Sequence, residues 1–153
     1  MPSLVLASTS TYRRALLQRL RIPFDTEAPN VDEETLMTSG RSAVDIAMTL
    51  AEAKVRSIDA QGRAVLGGDQ LVDLDGQIMG KPGTAEAARR QLRTLSGERH
   101  RLVTATALLP QGGGDAFLDV LIYEMHMRRL SDDEIERYVR ADEPLDCCGA
   151  YRI

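Results

Sequence analysis

One stretch, "GGDQLVDLDGQIMGKP" between residues 67 and 82, restricts the possible folds more than any other part of the chain. Ala64–Leu74 reads as a β-strand and Gln77–Met79 as its return, joined by Asp75 and Gly76. Asp-Gly between apolar runs favours a type I′ hairpin, whose two central residues both need positive φ. A hairpin rules out an all-parallel sheet. The segments around it mix strand and helix patterns, so the expected class is α/β or α+β with a mixed central sheet and flanking helices.

The other segments fit that frame. Leu4–Ala7 predicts a short buried strand and Tyr12–Leu20 a helix, with Leu16, Leu17 and Leu20 as its apolar face. The segment through "EAPNVDEETLMTSGRS" is polar and predicts irregular structure. Ala43–Ile58 carries a helical stripe of Val44, Ala47, Met48, Ala51 and Val55. Thr84 is the expected N-cap of a helix running to about Leu95. Leu102–Leu109 and Phe117–Met127 predict two strands around Gly112–Gly114, and "SDDE" from Ser131 is a capping box that opens a helix through Val139.

The 153 residues suit one domain, and no run approaches the roughly 20 apolar residues of a membrane helix. A net charge of −4 argues against broad binding to a nucleic acid polymer, but a few local cations would still hold a phosphorylated small molecule. The N-terminus lacks the pattern of a secretory signal. The two cysteines, Cys147 and Cys148, are adjacent and suit neither an unstrained disulfide nor zinc. Reduced thiols and a cytoplasmic location are the expectation. His100 and His126 have no triad partner nearby and read as structural or exposed.

Chemistry concentrates in a few places. In "LASTSTYRR" a strand turns into a helix, whose first N–H groups and dipole attract anions. Ser8, Ser10 and Thr11 could add hydroxyl donors there, and Arg13 or Arg14 a charge-assisted fork. The same residues could equally be a helix cap with solvated arginines. Asp69 sits within an apolar strand, where a carboxylate is costly to bury unless it is paired or bound to metal. Asp32, Glu33 and Glu34 are acids of a loop, and Lys54 belongs to the second helix. Antiparallel counting pairs Leu74 with Gln77 and Gln70 with Lys81, so Lys81 falls one residue from Asp69. On a regular ladder those two would face opposite sides. Together the residues supply the ingredients of metal-assisted phosphoryl chemistry.

At these residues the chain resembles the Maf family of nucleoside triphosphate pyrophosphatases. The motifs are "LASTSTYRRALLQRL", "VDEE", "LAEAK", "GGDQLVDLDGQIMGKP", "LSGERHRLVTATAL", "RRLSDDEIERYV" and "EPLDCCGAY", in one order across essentially the whole chain. The resemblance implies an inosine-triphosphatase-like fold, a homodimer, and cleavage between the α- and β-phosphates with a divalent metal, Mg or Mn. It assigns Ser8, Ser10 and Arg13 to phosphate, along with Lys54 and Lys81. Asp69 becomes the catalytic residue, Glu33 and Asp69 the metal ligands, and Thr9 and Arg14 ordinary surface or packing residues. Tyr12 and Gln70, with a cysteine in "LDCCGA", resemble the branch acting on 7-methyl-GTP. An aromatic face suits a cationic purine. The pyrimidine branch acting on dTTP and UTP, and a nucleotide-binding regulator of cell division without turnover, stay open as alternatives. Family members continue past the "GAY" segment, so the resemblance also implies that a closing segment is missing, which puts activity of this form in question. Ala105 stands where members often carry Gly or Ser.

Overall fold

The computed structural model describes residues 1–152 and contains β1 (Leu4–Ala7), α1 (Thr11–Gln18), β2 (Asp25–Glu27), α2 (Glu33–Met37), α3 (Ala43–Arg56), β3 (Ala64–Leu74), β4 (Gln77–Met79), α4 (Ala85–Leu95), β5 (Arg99–Leu109), β6 (Phe117–His126) and α5 (Asp132–Asp142). A short 3₁₀ turn, Cys148–Ala150, follows. The sheet order is β2-β1-β3-β5-β6, with β4 beside β3. β1 is parallel to both β2 and β3, whereas β3 and β4 are antiparallel, so the sheet is mixed as expected. Among the described residues no helix is long and apolar enough to cross a membrane.

The chain divides into two compact units. The first comprises Met1–Asp69 and Thr104–Leu121. Its core is built from Val5, Leu6 and Ala7 of β1, Val65 of β3, and the inward stripe Ile46, Ala47, Leu50, Ala51 and Val55 of α3. α3 starts at the Ser42 cap, whose hydroxyl accepts from Asp45 N at 3.1 Å.

Two expectations are corrected here. On α1 only Leu17 is buried; Leu16 and Leu20 are 60% and 67% exposed. The segment expected to be irregular contains β2 and α2. β2 lacks apolar alternation because its anchors are ionic: Arg63 donates to Asp25 Oδ2 and Glu27 Oε1, each at 2.9 Å. α2 begins at Asp32, which accepts from Thr35 N at 3.2 Å and Thr35 Oγ1 at 2.7 Å.

The second unit comprises Gln70–Val103 and the chain from Ile122 onward. Val72, Met79, Leu95, Leu102 and Cys148 form one apolar cluster. Ala88 and Leu92 of α4 meet Ile135 and Val139 of α5 and Ala150 in another. Across that helix pair Arg89 forks onto Glu136, with Nε–Oε2 at 2.6 Å and Nη2–Oε1 at 3.0 Å. The capping box at Ser131 and Glu134 is present, as the sequence predicts. His100 is buried, with Nε2 2.8 Å from the Tyr151 hydroxyl, while His126 is exposed.

The hairpin register agrees with the sequence count: Leu74 pairs with Gln77, Asp73 with Ile78 and Val72 with Met79. β4 ends there, before the ladder reaches Lys81.

Candidate active site

Asp69 ends the first unit's share of β3, and two glycines bring other elements close to it. A Cβ on Gly67 would lie 2.7 Å from Val55 Cγ1, and one on Gly68 would lie 2.7 Å from the Ala105 carbonyl oxygen. The "GGD" motif therefore lets α3 and β5 approach β3 more closely than side chains would allow. The aspartate that follows is 7% exposed.

Burying a carboxylate without a partner is expensive, and α3 supplies the partner. Lys54, itself 6% exposed, donates from Nζ to Asp69 Oδ1 at 2.6 Å. The same ammonium lies 2.9 Å from Glu33 Oε1, at the start of α2. Glu33 was expected in a loop before the second helix. It is instead the first residue of a short helix whose cap is Asp32. One lysine thus stands between the two carboxylates that sequence reasoning gave to a metal.

The other Asp69 oxygen is different. Oδ2 is buried and has no hydrogen-bond partner. Burial pushes the Asp69 carboxyl above the usual carboxylate range, and the nearby Glu33 charge adds to that; Lys54 and Arg13 offset only part of the rise. The result is a carboxylate with one tethered oxygen and one open, basic oxygen.

Among the described residues no group of three His, Cys, Asp or Glu side chains could hold a metal. Asp69 and Glu33 nevertheless suit Mg²⁺, which is commonly bound through one or two carboxylates with substrate phosphates and water completing its shell. The orphaned Oδ2 is the observation that fits such an ion.

The helix start at β1–α1 holds the residues expected to meet phosphate. Ser10 caps α1, its hydroxyl accepting from Arg13 N at 3.2 Å. Ser8 Oγ accepts from Ser10 N at 3.0 Å and from Arg13 Nη1 at 3.1 Å. The residues expected to grip phosphate are thus the ones that cap the helix. A recess of about 190 Å³ beside them is lined by Ser8, Thr9, Ser10, Thr11, Arg14 and Thr26, with the Glu27 carboxylate and Ala28 completing the wall. Thr9 and Arg14, expected to have ordinary surface or packing roles, line this recess. Tyr12 is 38% exposed in the first turn of α1.

Gln70 and Lys81 belong to the second unit. Lys81 is exposed just past the end of β4. Gln70 is also exposed, and its Oε1 accepts from the buried Cys148 thiol at 3.4 Å. Sequence reasoning missed that contact because 78 residues separate the partners. Among the described residues neither of the adjacent cysteines is in a disulfide, and Cys148 belongs to the core of its unit.

Residues 3–153 match the family model described as Maf-like protein. A protein of Pseudomonas syringae pv. tomato named 7-methyl-GTP pyrophosphatase is 44% identical over 154 residues, covering 99% of this chain and 79% of that protein. One of the same name from Xanthomonas axonopodis pv. citri is 46% identical over 155 residues, with coverages of 99% and 79%. A third, from Bdellovibrio bacteriovorus, is 41% identical over 150 residues, with coverages of 98% and 78%. Among solved structures, the Staphylococcus aureus Ham1 protein gives a TM-score of 0.46 at 16% identity, over 80% of this chain and 71% of that one.

Proposed function

The chain belongs to the Maf-like protein family, and on that premise we propose that it hydrolyses a nucleoside triphosphate, 7-methyl-GTP above all, to the monophosphate and pyrophosphate. The names of its relatives support the substrate. The observation that carries the chemistry is Asp69: buried, tethered through Oδ1 to Lys54, with Oδ2 unpartnered and its basicity raised.

In this reading water attacks the α-phosphorus, the α–β anhydride bond breaks, and pyrophosphate leaves. Asp69 orients the water and takes its proton, a role worth about 10²–10⁴-fold in rate. Lys54 keeps the carboxylate oriented, and the charges of Lys54 and Arg13 oppose the negative charge that grows on the phosphates. Ser8 and Ser10 offer hydroxyls at the N-terminus of α1, where an anion is favoured. A divalent cation, Mg or Mn, would be held by Asp69 and Glu33 and would supply charge neutralisation on the phosphates. Lys81 as a further phosphate ligand, with Tyr12 and Gln70 as readers of the base, enters through the family resemblance. The exposed apolar side chains of the edge strand β6, Phe117, Leu121 and Tyr123 among them, support a homodimer. Two thiols outside any disulfide support a reducing, cytoplasmic setting.

The test is pyrophosphate release from a panel of nucleotides with Mg²⁺ or Mn²⁺, repeated with EDTA. The expected result is release from 7-methyl-GTP ahead of GTP, dTTP and UTP, abolished by chelation. Nucleotide binding without metal-dependent release would overturn the reading in favour of a regulator. Turnover of dTTP or UTP well ahead of 7-methyl-GTP would move the chain to the pyrimidine branch.

A further inference from the structure

We propose that Lys54 occupies the cation position between Asp69 and Glu33, so that the site excludes a bare divalent ion and accepts one only as its chelate with a polyphosphate. The polyphosphate half rests on the functional reading above. The exclusion half stands on the lysine's own geometry.

One ammonium contacts both carboxylates, Asp69 Oδ1 at 2.6 Å and Glu33 Oε1 at 2.9 Å. A divalent ion held by the same two side chains would have to share its position with that charge. Lys54 has little room to yield, because it is 6% exposed on the buried stripe of α3. Pushed off its carboxylates there, the ammonium would be a buried charge without a partner, which is costly. The charges also balance: Lys54 and the nearby Arg13 oppose Asp69 and Glu33 one for one. A bare dication would enter a cluster with no net negative charge to draw it from water. Mg²⁺ in particular gives up its water reluctantly.

A chelated ion differs in two ways. Its phosphates offset its charge, and their oxygens offer the ammonium a new partner. The two contacts of Lys54 are unequal, since the Asp69 side chain is 9% exposed and that of Glu33 49%. The solvent-facing link to Glu33 is the one to exchange, because exposed ion pairs contribute little. Lys54 then keeps Asp69 Oδ1 and trades Glu33 for phosphate, which leaves Glu33 and the orphaned Asp69 Oδ2 for the ion. The substrate class is accordingly a metal–nucleoside triphosphate chelate, and the metal is part of the substrate rather than a resident of the protein.

The experiment reads Mn²⁺ binding to the whole chain by electron paramagnetic resonance. The probes are Mn²⁺ alone, and Mn²⁺ with a nucleoside triphosphate analogue bearing a methylene between the α- and β-phosphorus. The wild type should bind Mn²⁺ alone too weakly to saturate at millimolar concentration, and should bind it saturably with the analogue. Lys54→Met and Lys54→Gln should gain a site for Mn²⁺ alone, about tenfold or more tighter, because a unit charge has left its position. Adding Glu33→Gln should remove that gain. A wild-type site for Mn²⁺ alone that Glu33→Gln abolishes overturns the proposal. So does a folded lysine variant that gains nothing. If neither lysine variant folds, the Lys54 ammonium signal in ¹⁵N NMR of the wild type decides. Mg²⁺ alone should leave that signal in place and Mg²⁺ with the analogue should shift it; any other pattern removes the proposal. If the wild type binds no analogue and releases pyrophosphate from no nucleotide, the functional reading falls, and the Mn²⁺ gain in the lysine variants still decides the exclusion half.

Discussion

Two aspartates four residues apart on β3 are almost equally hidden, with side chains 9% and 7% exposed, and their environments drive them in opposite directions. Asp73 is satisfied at both oxygens. Gly76 N donates to Oδ1 at 2.8 Å in the hairpin turn, and Arg101 Nε and Nη2 both reach Oδ2. Burial pushes its carboxyl up, but the Arg101 hydrogen bonds, the Gly76 N–H and the Arg101 charge outweigh that and hold it below the usual range. Asp69 has one lysine and one orphaned oxygen, and burial prevails. Similar side-chain exposure thus goes with a lowered carboxyl in one case and a raised one in the other: Asp73 has donors at both oxygens, whereas Asp69 lies deeper and keeps one oxygen without a donor.

The sharpest way to break this contrast is to remove each charge in turn. Asp69→Asn should lower pyrophosphate release by about 10²–10⁴-fold, the worth of a general base. Its thermal unfolding should be no earlier than that of the wild type. The sign follows from the raised carboxyl: its contribution to stability is present below the unfolded pKa and is lost as pH rises through the folded value. At neutral pH the ionised form is therefore a cost. Asp73→Asn should instead keep turnover within a few-fold. Asp69→Asn melting as early as Asp73→Asn would show that the two sites do the same work.

A second effect, somewhat smaller, concerns the tether. Lys54→Met removes the nearest positive charge, so the acid limb of the kcat/KM profile should move to higher pH as turnover drops about 10²-fold. An acid limb that stays in place would mean that Asp69 is not the group titrating.

Stability then measures Asp73 directly. Asp73→Asn should cost about 1–3 kcal/mol at neutral pH, the usual penalty for disrupting a buried hydrogen-bonded group. The wild-type advantage should shrink as pH falls through the depressed folded pKa, because that contribution exists only above the unfolded value. Denaturant titrations at neutral and acid pH read the difference.

The smallest effect separates both aspartates from an uncharged pair, buried His100 and half-buried Tyr151. Burial lowers the His100 pKa, so its contribution to stability is lost as pH falls from 6.5 through the folded value. Burial pushes Tyr151 up to about 12, so its contribution fades as pH rises from 10 toward that value. Melting temperature should therefore hold between those limits, and Tyr151→Phe should flatten the alkaline decline alone.

Much of the scaffold was legible from short-range pattern. Asp75 and Gly76 identified the hairpin and its register, and the apolar stripe identified α3. β2 escaped because two of its three residues, Asp25 and Glu27, are held by Arg63, a partner far along the chain, rather than by apolar alternation. The outward Leu16 and Leu20 show that periodicity finds a helix without saying how much of its face is covered. In the site, Ser8, Ser10 and Arg13 could be read together because one helix start contains them all. Glu33, Lys54 and Asp69 come from three elements, so their convergence was accessible only through the family motif. Periodicity carries no signal for Cys148 meeting Gln70.

The close approach at Gly67 and Gly68 has a practical side. Replacing glycine with alanine is a standard way to strengthen a protein, because it narrows the unfolded ensemble. At these two positions the added methyl would press on Val55 and on the Ala105 carbonyl, so a stabilisation screen would find its gains elsewhere. Tolerance to substitution along β3 is thus lowest where the side chain is smallest.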